Sequence, residues 1–318
     1  MPTMLAVTAR EWGAPEVLTP IEIERPEPGL TEILVRVHAA GVNPVDWKTR
    51  ASGVFIAWGE VPIVGWDVSG TVEAVGPGVT LFEPGDEVFG MPAFPRQAGA
   101  YAEFVVGPAR QFARKPGNIS HIEAAALPLA GLTAWQSLID TADLRAGQRV
   151  LIHAAAGGVG HLAVQIAKAR GAYVIGTARA DKHDFVRALG ADEVIDYTAV
   201  DFAAVLRDVD IVLDNIGGDY GARSLPVLRR GGHLVTLPGP EDLPDAADAD
   251  ARGIRTCWPV VEPDSAGLTA IAELVAAGKL RPEIDRVLPL TDAAKAHAYG
   301  ETGRTRGKIV LQVVAPSE

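Results

Sequence analysis

Apolar positions along this chain change their period part-way, and the change marks two kinds of structure. Up to about residue 115, β-branched and aromatic residues gather in short runs at 33–37, 68–75, 87–89 and 101–106. Turn residues break the pattern at Pro28-Gly29, Gly76-Pro77-Gly78, Pro84-Gly85-Asp86 and Gly99, as they do between short strands. This part predicts a mostly β domain, a barrel or a sandwich-like sheet. Ser120-His121-Ile122-Glu123 then has the form of a capping box opening a helix. Pro128 interrupts that helix and residues 132–142 resume it, so two helices bridge to the second part of the chain.

From Gln148 onward strands and helices alternate. Strand-like runs at 150–153, 173–177, 193–195, 211–214 and 233–237 are separated by helical stretches, among them 182–189, 202–206 and 220–228. This alternation predicts a doubly wound parallel sheet with its ligand at the carboxyl ends of the strands. Residues 238–253, PGPEDLPDAADADARG, are acidic and proline-broken. They read as a solvated loop, with a substrate-covering lid as the alternative. After them come a strand at 255–261, a helix at 268–277, a strand at 287–290, a helix capped by Thr291 and a strand at 308–313.

The stretch 149–170, RVLIHAAAGGVGHLAVQIAKAR, carries the strongest chemistry. A buried strand, Val150-Leu151-Ile152, passes through Gly157, Gly158 and Gly160 into a helix. In that helix Val159, Leu162, Ala163, Ile166 and Ala167 share one face, and His161, Gln165 and Lys168 fall on the other. Ala155 to Gly160 fits A-x-G-x-x-G, with alanine in the first glycine position. Glycines here let the backbone approach a pyrophosphate, whose charge is met by free amides and the helix dipole. The second strand ends Gly176-Thr177-Ala178-Arg179, with no carboxylate before Asp181. A carboxylate would repel a 2'-phosphate, whereas Arg179 can pair with one, so NADPH is the expected cofactor. Lys182 and His183 are secondary candidates. Tyr197, Asn215, Ile216, Gly217, Leu237 and Pro238 also lie at strand ends where such a ligand binds.

Composition narrows the partners. The 318 residues are 48% hydrophobic and 22% charged, with net charge −11 and pI near 5.2. That balance argues against nucleic-acid or anionic-membrane binding and leaves a small-molecule substrate or protein. Cys257 is the single cysteine, which excludes an intrachain disulfide and a cysteine-rich zinc site. His38, His121, His153, His161, His183, His233 and His297 form no His-x-x-x-His pair, and His153 and His233 read as satisfied core residues. The amino terminus lacks a basic region followed by a long apolar run, and no stretch approaches the roughly 20 residues of a membrane span. A cytoplasmic protein is expected.

Several phrases resemble the medium-chain dehydrogenase/reductase superfamily: Gly41-Val42-Asn43-Pro44-Val45-Asp46, Gly65-Trp66-Asp67-Val68-Ser69-Gly70, Gly85-Asp86-Glu87-Val88, Gly99-Ala100-Tyr101-Ala102-Glu103, Leu132-Thr133-Ala134, Gly190-Ala191-Asp192 and Arg306-Gly307-Lys308-Ile309-Val310-Leu311. Within it the chain is similar to the zinc-independent quinone oxidoreductase, or zeta-crystallin-like, branch. Zinc-dependent members carry a cysteine where Asn43 stands and His-Glu where Trp66-Asp67 stand, so no metal is expected. The resemblance implies an α/β protein: a GroES-like β-rich catalytic domain over 1–122, completed by 282–318, and a Rossmann domain over 123–281. It further implies a cleft holding NADPH and a homodimer formed through the Rossmann domains.

By the same resemblance, Asn43 and Thr133 would lie near the nicotinamide, Gly157, Gly158, Val159 and Gly160 against the pyrophosphate, and Arg179 and Tyr197 around the adenosine phosphate. Asn215, Ile216 and Gly217 would line the groove. The expected chemistry is hydride transfer from NADPH to a quinone or an α,β-unsaturated carbonyl. Asn43, Asp46 and Lys48 are the candidate catalytic residues, with Trp47 as a shape-setting neighbour. A turn role for Asn43, a core role for Trp47 and a surface pair of Asp46 with Lys48 stay open. Without an evident general acid, water or a cofactor ribose hydroxyl is the expected proton source. A noncatalytic NADPH-binding sensor or crystallin-like protein, and an enoyl reductase of polyketide or fatty-acid synthesis, are the alternatives.

Overall fold

The computed structural model describes residues 2–53 and 62–313. In chain order, β1 (Thr3–Ala9) pairs antiparallel with β2 (Leu18–Glu24). Then come β3 (Glu32–Val42), α1 (Pro44–Ser52), β4 (Asp67–Val75), β5 (Glu87–Gly90), β6 (Phe104–Pro108) and β7 (Phe112–Arg114). The capping box at Ser120 is present and opens α2 (His121–Ala125). The next helix, α3 (Pro128–Trp135), starts at the proline rather than after it and runs on as a π-helical stretch, Gln136–Thr141. Proline is well tolerated in a first helical turn, where its missing N–H has no partner to lose.

The alternating part consists of β8 (Arg149–Ile152), α4 (Gly160–Ala169), β9 (Tyr173–Ala178), α5 (His183–Ala188), β10 (Glu193–Asp196), α6 (Phe202–Val205), β11 (Val209–Asp214), α7 (Tyr220–Ser224), β12 (Leu228–Thr236), α8 (Ala246–Arg252) and β13 (Arg255–Cys257). All six strands are parallel, in the order β10-β9-β8-β11-β12-β13. Numbered within the sheet this is 3-2-1-4-5-6, the Rossmann order, which reverses between β8 and β11. Leu151, Ile175, Val212 and Leu234 from four neighbouring strands share one buried cluster.

The chain closes with α9 (Ser265–Ala276), β14 (Ile284–Pro289), α10 (Ala293–Gly300) and β15 (Lys308–Gln312). β15 lies between β14, to which it is parallel, and β3, to which it is antiparallel. The larger sheet thus runs β14-β15-β3-β4-β5-β7, with β6 also on β3. Ile33, Val35, Val37, Val68, Val72 and Val88 alternate onto one face of it and share a core.

Two compact units result, Met1–Leu132 with Glu262–Glu318, and Thr133–Val261. The resemblance places 123–132 and 262–281 with the Rossmann part, whereas here they belong to the β-rich unit. The reason is packing: Ala125 and Ala126 of α2 are buried with Ala39 and Val310, and Asn118 Nδ2 donates to Val275 O of α9 at 2.9 Å. Residues 314–318 of the expected carboxyl-terminal segment lie outside the described residues.

Five local expectations change. His161 and Gln165 are buried, 0% and 8% exposed, so α4 is covered on both faces rather than one. Residues 238–253 hold a 3-10 turn, Pro240–Asp242, and α8, which Asp245 caps by accepting from Asp248 N and which Gly253 ends at φ +66°. Pro226 and Pro259 end α7 and β13 earlier than expected, since proline supplies no N–H to continue either element. The helix expected to be capped by Thr291 begins at Ala293, after a 3-10 turn, Leu290–Asp292. Among the described residues no helix is long and apolar enough to cross a membrane.

Candidate functional site

In the parallel-sheet unit the glycine turn leaves β8 through Ala154, at φ +48°. Ala155 N donates to Thr177 O of β9 at 3.0 Å, which presses the turn onto the sheet. A Cβ at Gly160 would stand 2.2 Å from Ala154 O and 2.8 Å from Ala155 Cα, so no larger residue fits where α4 meets the turn. His161 and Ala163 donate to Gly157 O and Val159 O, while Gly157, Gly158 and Val159 stay half-buried at the open positive end of the helix.

Across the reversal point, Asn215 Nδ2 donates to His153 O at 2.6 Å and ties the end of β11 to that of β8. Its Oδ1 is buried without a partner. Asp214 Oδ1 accepts from Ile216 N at 2.9 Å and Gly217 N at 3.1 Å, and burial pushes its carboxyl up. Leu237 N donates to Asp214 O, which brings Leu237 and Pro238 to the same edge. Arg179 comes directly after β9, exposed, with Nε 3.7 Å from Asp181 Oδ1. An exposed pair of this kind contributes about 0–1 kcal/mol, so the guanidinium is easily drawn to a stronger anion. Lys182 is half-buried, Tyr197 is exposed after β10, and Thr133 is half-buried in α3.

Beneath the turn lies a network that periodicity does not show. His153 Nδ1 is 3.2 Å from Thr177 Oγ1 and Nε2 is 3.3 Å from Ser224 Oγ, and burial pushes the imidazole down to about 3. The satisfied-core reading therefore suits His153. It does not suit His233, which is 8% exposed with Nε2 unpartnered.

In the β-rich unit Asn43 stands at the N-cap of α1 and is 1% exposed. Its backbone N donates to Asp46 Oδ2 at 2.7 Å, and its Nδ2 to Asp67 Oδ2 at 2.8 Å. Lys308 Nζ donates to Asn43 Oδ1 and, at 3.0 Å, to Val42 O, and lies 3.6 Å from Asp67 Oδ2. Leu129 N donates to Asp67 Oδ1 at 2.8 Å. Burial pushes Asp67 up and Lys308 down, but the two N–H donors fixed on Asp67 keep it the acceptor of an ion pair.

Asp46 is fully buried, which with the nearby Asp67 charge pushes its carboxyl up to about 7. Tyr101 OH donates to Asp46 Oδ2 at 3.0 Å and is 3.1 Å from His297 Nε2. Trp47 lies half-buried with its ring edge-on to His297. Lys48 is exposed, so Asp46 and Lys48 make no surface pair, and Lys48 is not brought to this cluster. Lys308, Tyr101 and His297 are members that the sequence does not single out. A lysine inside Lys308-Ile309-Val310-Leu311 was the available signal, since an apolar strand seldom buries an ammonium without a partner.

Residues 29–117 match the alcohol dehydrogenase GroES-like domain family, and residues 189–311 the zinc-binding dehydrogenase family. The mouse (Mus musculus) mitochondrial NAD(P)H oxidoreductase RTN4IP1 is 36% identical over 89% of this chain and 82% of its own length. A 2-methylene-furan-3-one reductase of Solanum lycopersicum is 34% identical over 98% and 79%. The quinone oxidoreductase from Coxiella burnetii superposes with TM-score 0.89 at 37% identity, covering 98% of this chain and all of that one. The chain belongs to the quinone oxidoreductase branch of the medium-chain dehydrogenase/reductase superfamily. This reductase is also similar to mycobacterial Rv1454c, solved in complex with NADPH, with TM-score 0.86, 32% identity and coverage of 98% and 100%. As a member of that family it is an oxidoreductase that uses NAD(P)H.

Proposed function

We propose that this oxidoreductase transfers a hydride from NADPH to a quinone or an α,β-unsaturated carbonyl, without zinc. One observation carries the reading: the Lys308 ammonium is seated between Asn43 Oδ1 and Asp67 Oδ2. Metal-binding members of the superfamily have a cysteine and a glutamate at these two positions, and here a side-chain cation satisfies the acceptors instead. An isolated carbonyl needs a Lewis acid or a strong donor to take a hydride. A conjugated acceptor is electron-poor at carbon already and spreads the developing charge onto its oxygen, so it suits such a site.

NADPH supplies the hydride. The residues present fit it: the Gly160 cradle and the orphaned Asn215 Oδ1 flank the reversal point where dinucleotides bind. Gly157, Gly158, Val159 and Gly160 would hold the pyrophosphate, Arg179 with Lys182 and Tyr197 the 2'-phosphate end, and Asn215, Ile216, Gly217, Leu237 and Pro238 the groove. Thr133 would lie at the nicotinamide end. Asn43 has both ends of its amide engaged by Asp67 and Lys308, so we give it a positioning role at the start of α1.

The test is NADPH oxidation against a panel of quinones and enones, with NADH in parallel. NADPH is expected to exceed NADH in kcat/KM by tenfold or more, and equal rates would overturn the cofactor assignment. Arg179→Ala removes a charge-assisted pair of about 1.5–3 kcal/mol. The KM for NADPH should rise roughly 10–100-fold on that scale while that for NADH holds. Stoichiometric zinc by elemental analysis would overturn the metal-free reading, and tight NADPH binding without turnover would favour a sensor.

A further inference from the structure

The left-handed step of the glycine turn is taken by an alanine. Neither Gly157 nor Gly160 lies in the left-handed region, whereas Ala154 stands at φ +48°. Glycine reaches that region without penalty, but an L side chain is strained there and persists only where its surroundings hold it. The carbonyl of Ala154 is central to the turn. Ala154 O accepts from Gly157 N at 2.9 Å, and it is the atom against which Gly160 packs, 2.2 Å from where a Cβ would stand. Were Ala154 to leave the left-handed region, this carbonyl would turn away from Gly157 N. Gly157, Gly158 and Val159, half-buried at the open end of α4, would shift with it.

One side chain supplies the hold. Thr177 lies one residue past the last paired position of β8 and β9, Ile152 with Gly176, and is 0% exposed. Its Oγ1 accepts from Ala154 N at 3.2 Å and its backbone O from Ala155 N at 3.0 Å, so the amides on both sides of the Ala154 Cα converge on one residue. The hydroxyl proton goes to His153 Nδ1, 3.2 Å away, and the imidazole proton then sits on Nε2, 3.3 Å from Ser224 Oγ. The opposite tautomer would leave the hydroxyl proton buried with no acceptor among the described residues. Burial, helped by the charge of Arg223, keeps the ring neutral, so Nδ1 stays an acceptor.

We propose that Thr177 is a positioning residue for NADPH: its hydroxyl holds Ala154 left-handed and so sets the amides of the turn for the pyrophosphate before the cofactor arrives. The assignment rests on the reading that this turn takes that pyrophosphate. His153 acts through Thr177, by fixing the direction of the hydroxyl. A glycine at 154 would reach the same φ and many others. Alanine held by Thr177 offers one conformation, which removes an ordering cost from binding.

The test uses the full-length wild type, Thr177→Val, Ala154→Gly and the double variant, each titrated with NADPH by fluorescence. Valine keeps the shape of threonine and suits a strand, but accepts no hydrogen bond. The Kd for NADPH should rise about tenfold or more in Thr177→Val, the scale of one released strained residue. Thr177→Ser, which keeps the hydroxyl, should bind like wild type. Ala154→Gly alone should change the Kd only slightly, because glycine takes positive φ as readily as negative. In the double variant the hold is no longer needed, so most of the lost affinity should return. A merely structural role for Thr177 predicts no such rescue, since a glycine at 154 restores neither the hydroxyl nor the partner of His153. The KM for NADPH should follow its Kd, while kcat at saturating NADPH and the KM for a quinone hold.

A folded Thr177→Val with wild-type NADPH affinity, or a double variant no better than Thr177→Val, overturns the proposal. Should Thr177→Val not fold, Ala154→Val replaces it. That variant keeps Thr177 but puts a β-branched residue where φ is positive, which such residues resist, and unchanged affinity there overturns the proposal equally. Hydrogen exchange at the Gly157 amide needs no cofactor. It should speed up in Thr177→Val and slow again in the double variant, and unchanged protection overturns the hold. A wild type that binds neither NADPH nor NADH overturns the functional reading instead, and the exchange measurement still decides whether Thr177 holds the turn.

Discussion

Replacing Lys308 by methionine should lower the unfolding free energy by about 3–5 kcal/mol, the cost of leaving one member of a buried ion pair without its partner. Methionine keeps most of the lysine stem, so the loss isolates the ammonium. Lys308 is 3% exposed, and its removal takes a donor from Val42 O and Asn43 Oδ1 and the counter-charge from Asp67. Asp67 cannot relieve this by turning to water, because it is 0% exposed and fixed by Asn43 Nδ2 and Leu129 N. It can only take up a proton, so the variant should recover part of its stability as pH falls. Adding Asp67→Asn should restore a further part, with a coupling of about 0.5–3 kcal/mol in the double-mutant cycle. Urea unfolding of the four proteins checks it, and a single variant within about 0.5 kcal/mol of wild type, the ordinary range for surface changes, would show that the pair contributes little. By contrast, removing Arg114, 60% exposed where it meets Asp86, should cost about 1 kcal/mol or less.

Acid should destabilise the protein already in the range where its buried histidines would take up protons on unfolding. Burial pushes His153 and His297 down to about 3 and His121 to about 4, against an ordinary value of 6.5. Each is depressed in the folded state, so the stability it contributes is complete above about 6.5 and is lost as pH falls toward those values. Asp46, raised from 3.8 to about 7, works the other way: its contribution is complete below 3.8 and lost as pH rises through 7. Between about 4.5 and 6, these four groups alone gain three histidine protons on unfolding and release one aspartate proton, two net. Linkage converts two protons into a fall of about 3 kcal/mol per pH unit. Denaturant unfolding at half-unit steps from pH 7 to 5 measures that slope, and a flat profile would mean these imidazoles find water or partners in the folded state.

What the sequence disclosed and what it hid depend on where the contacts come from. β8, β9, β11 and β12 are legible because strands buried on both faces read as apolar runs, and the turn after β8 is legible because its glycines answer a local steric demand, as Gly160 shows. Arg179 and Asn215 are found once strand ends are known, since the fold law supplies their location. The Lys308 cluster is different. It gathers residues 43, 46, 67, 101, 297 and 308, which share no period and no spacing. Lys48 looked as promising as Asp46 for the same reason: two residues apart on a helix, they point to different sides. α8 was hidden by composition, because acidic alanine-rich text between prolines resembles a loop although Asp245 and Gly253 are serviceable caps.

The placement of β15 beside β3 bears on how the chain is made. Lys308 and Val42 are 266 residues apart in sequence. At roughly 5–20 residues per second, about 13–53 seconds of translation separate them. Throughout that interval Asn43 and Asp67 have emerged without the cation that neutralises them, and β3 lacks its neighbour on one side. The whole of Thr133–Val261 is synthesised in the meantime. The parallel-sheet unit can therefore fold first, on the ribosome, while the β-rich unit waits as an open template that only the last strand closes.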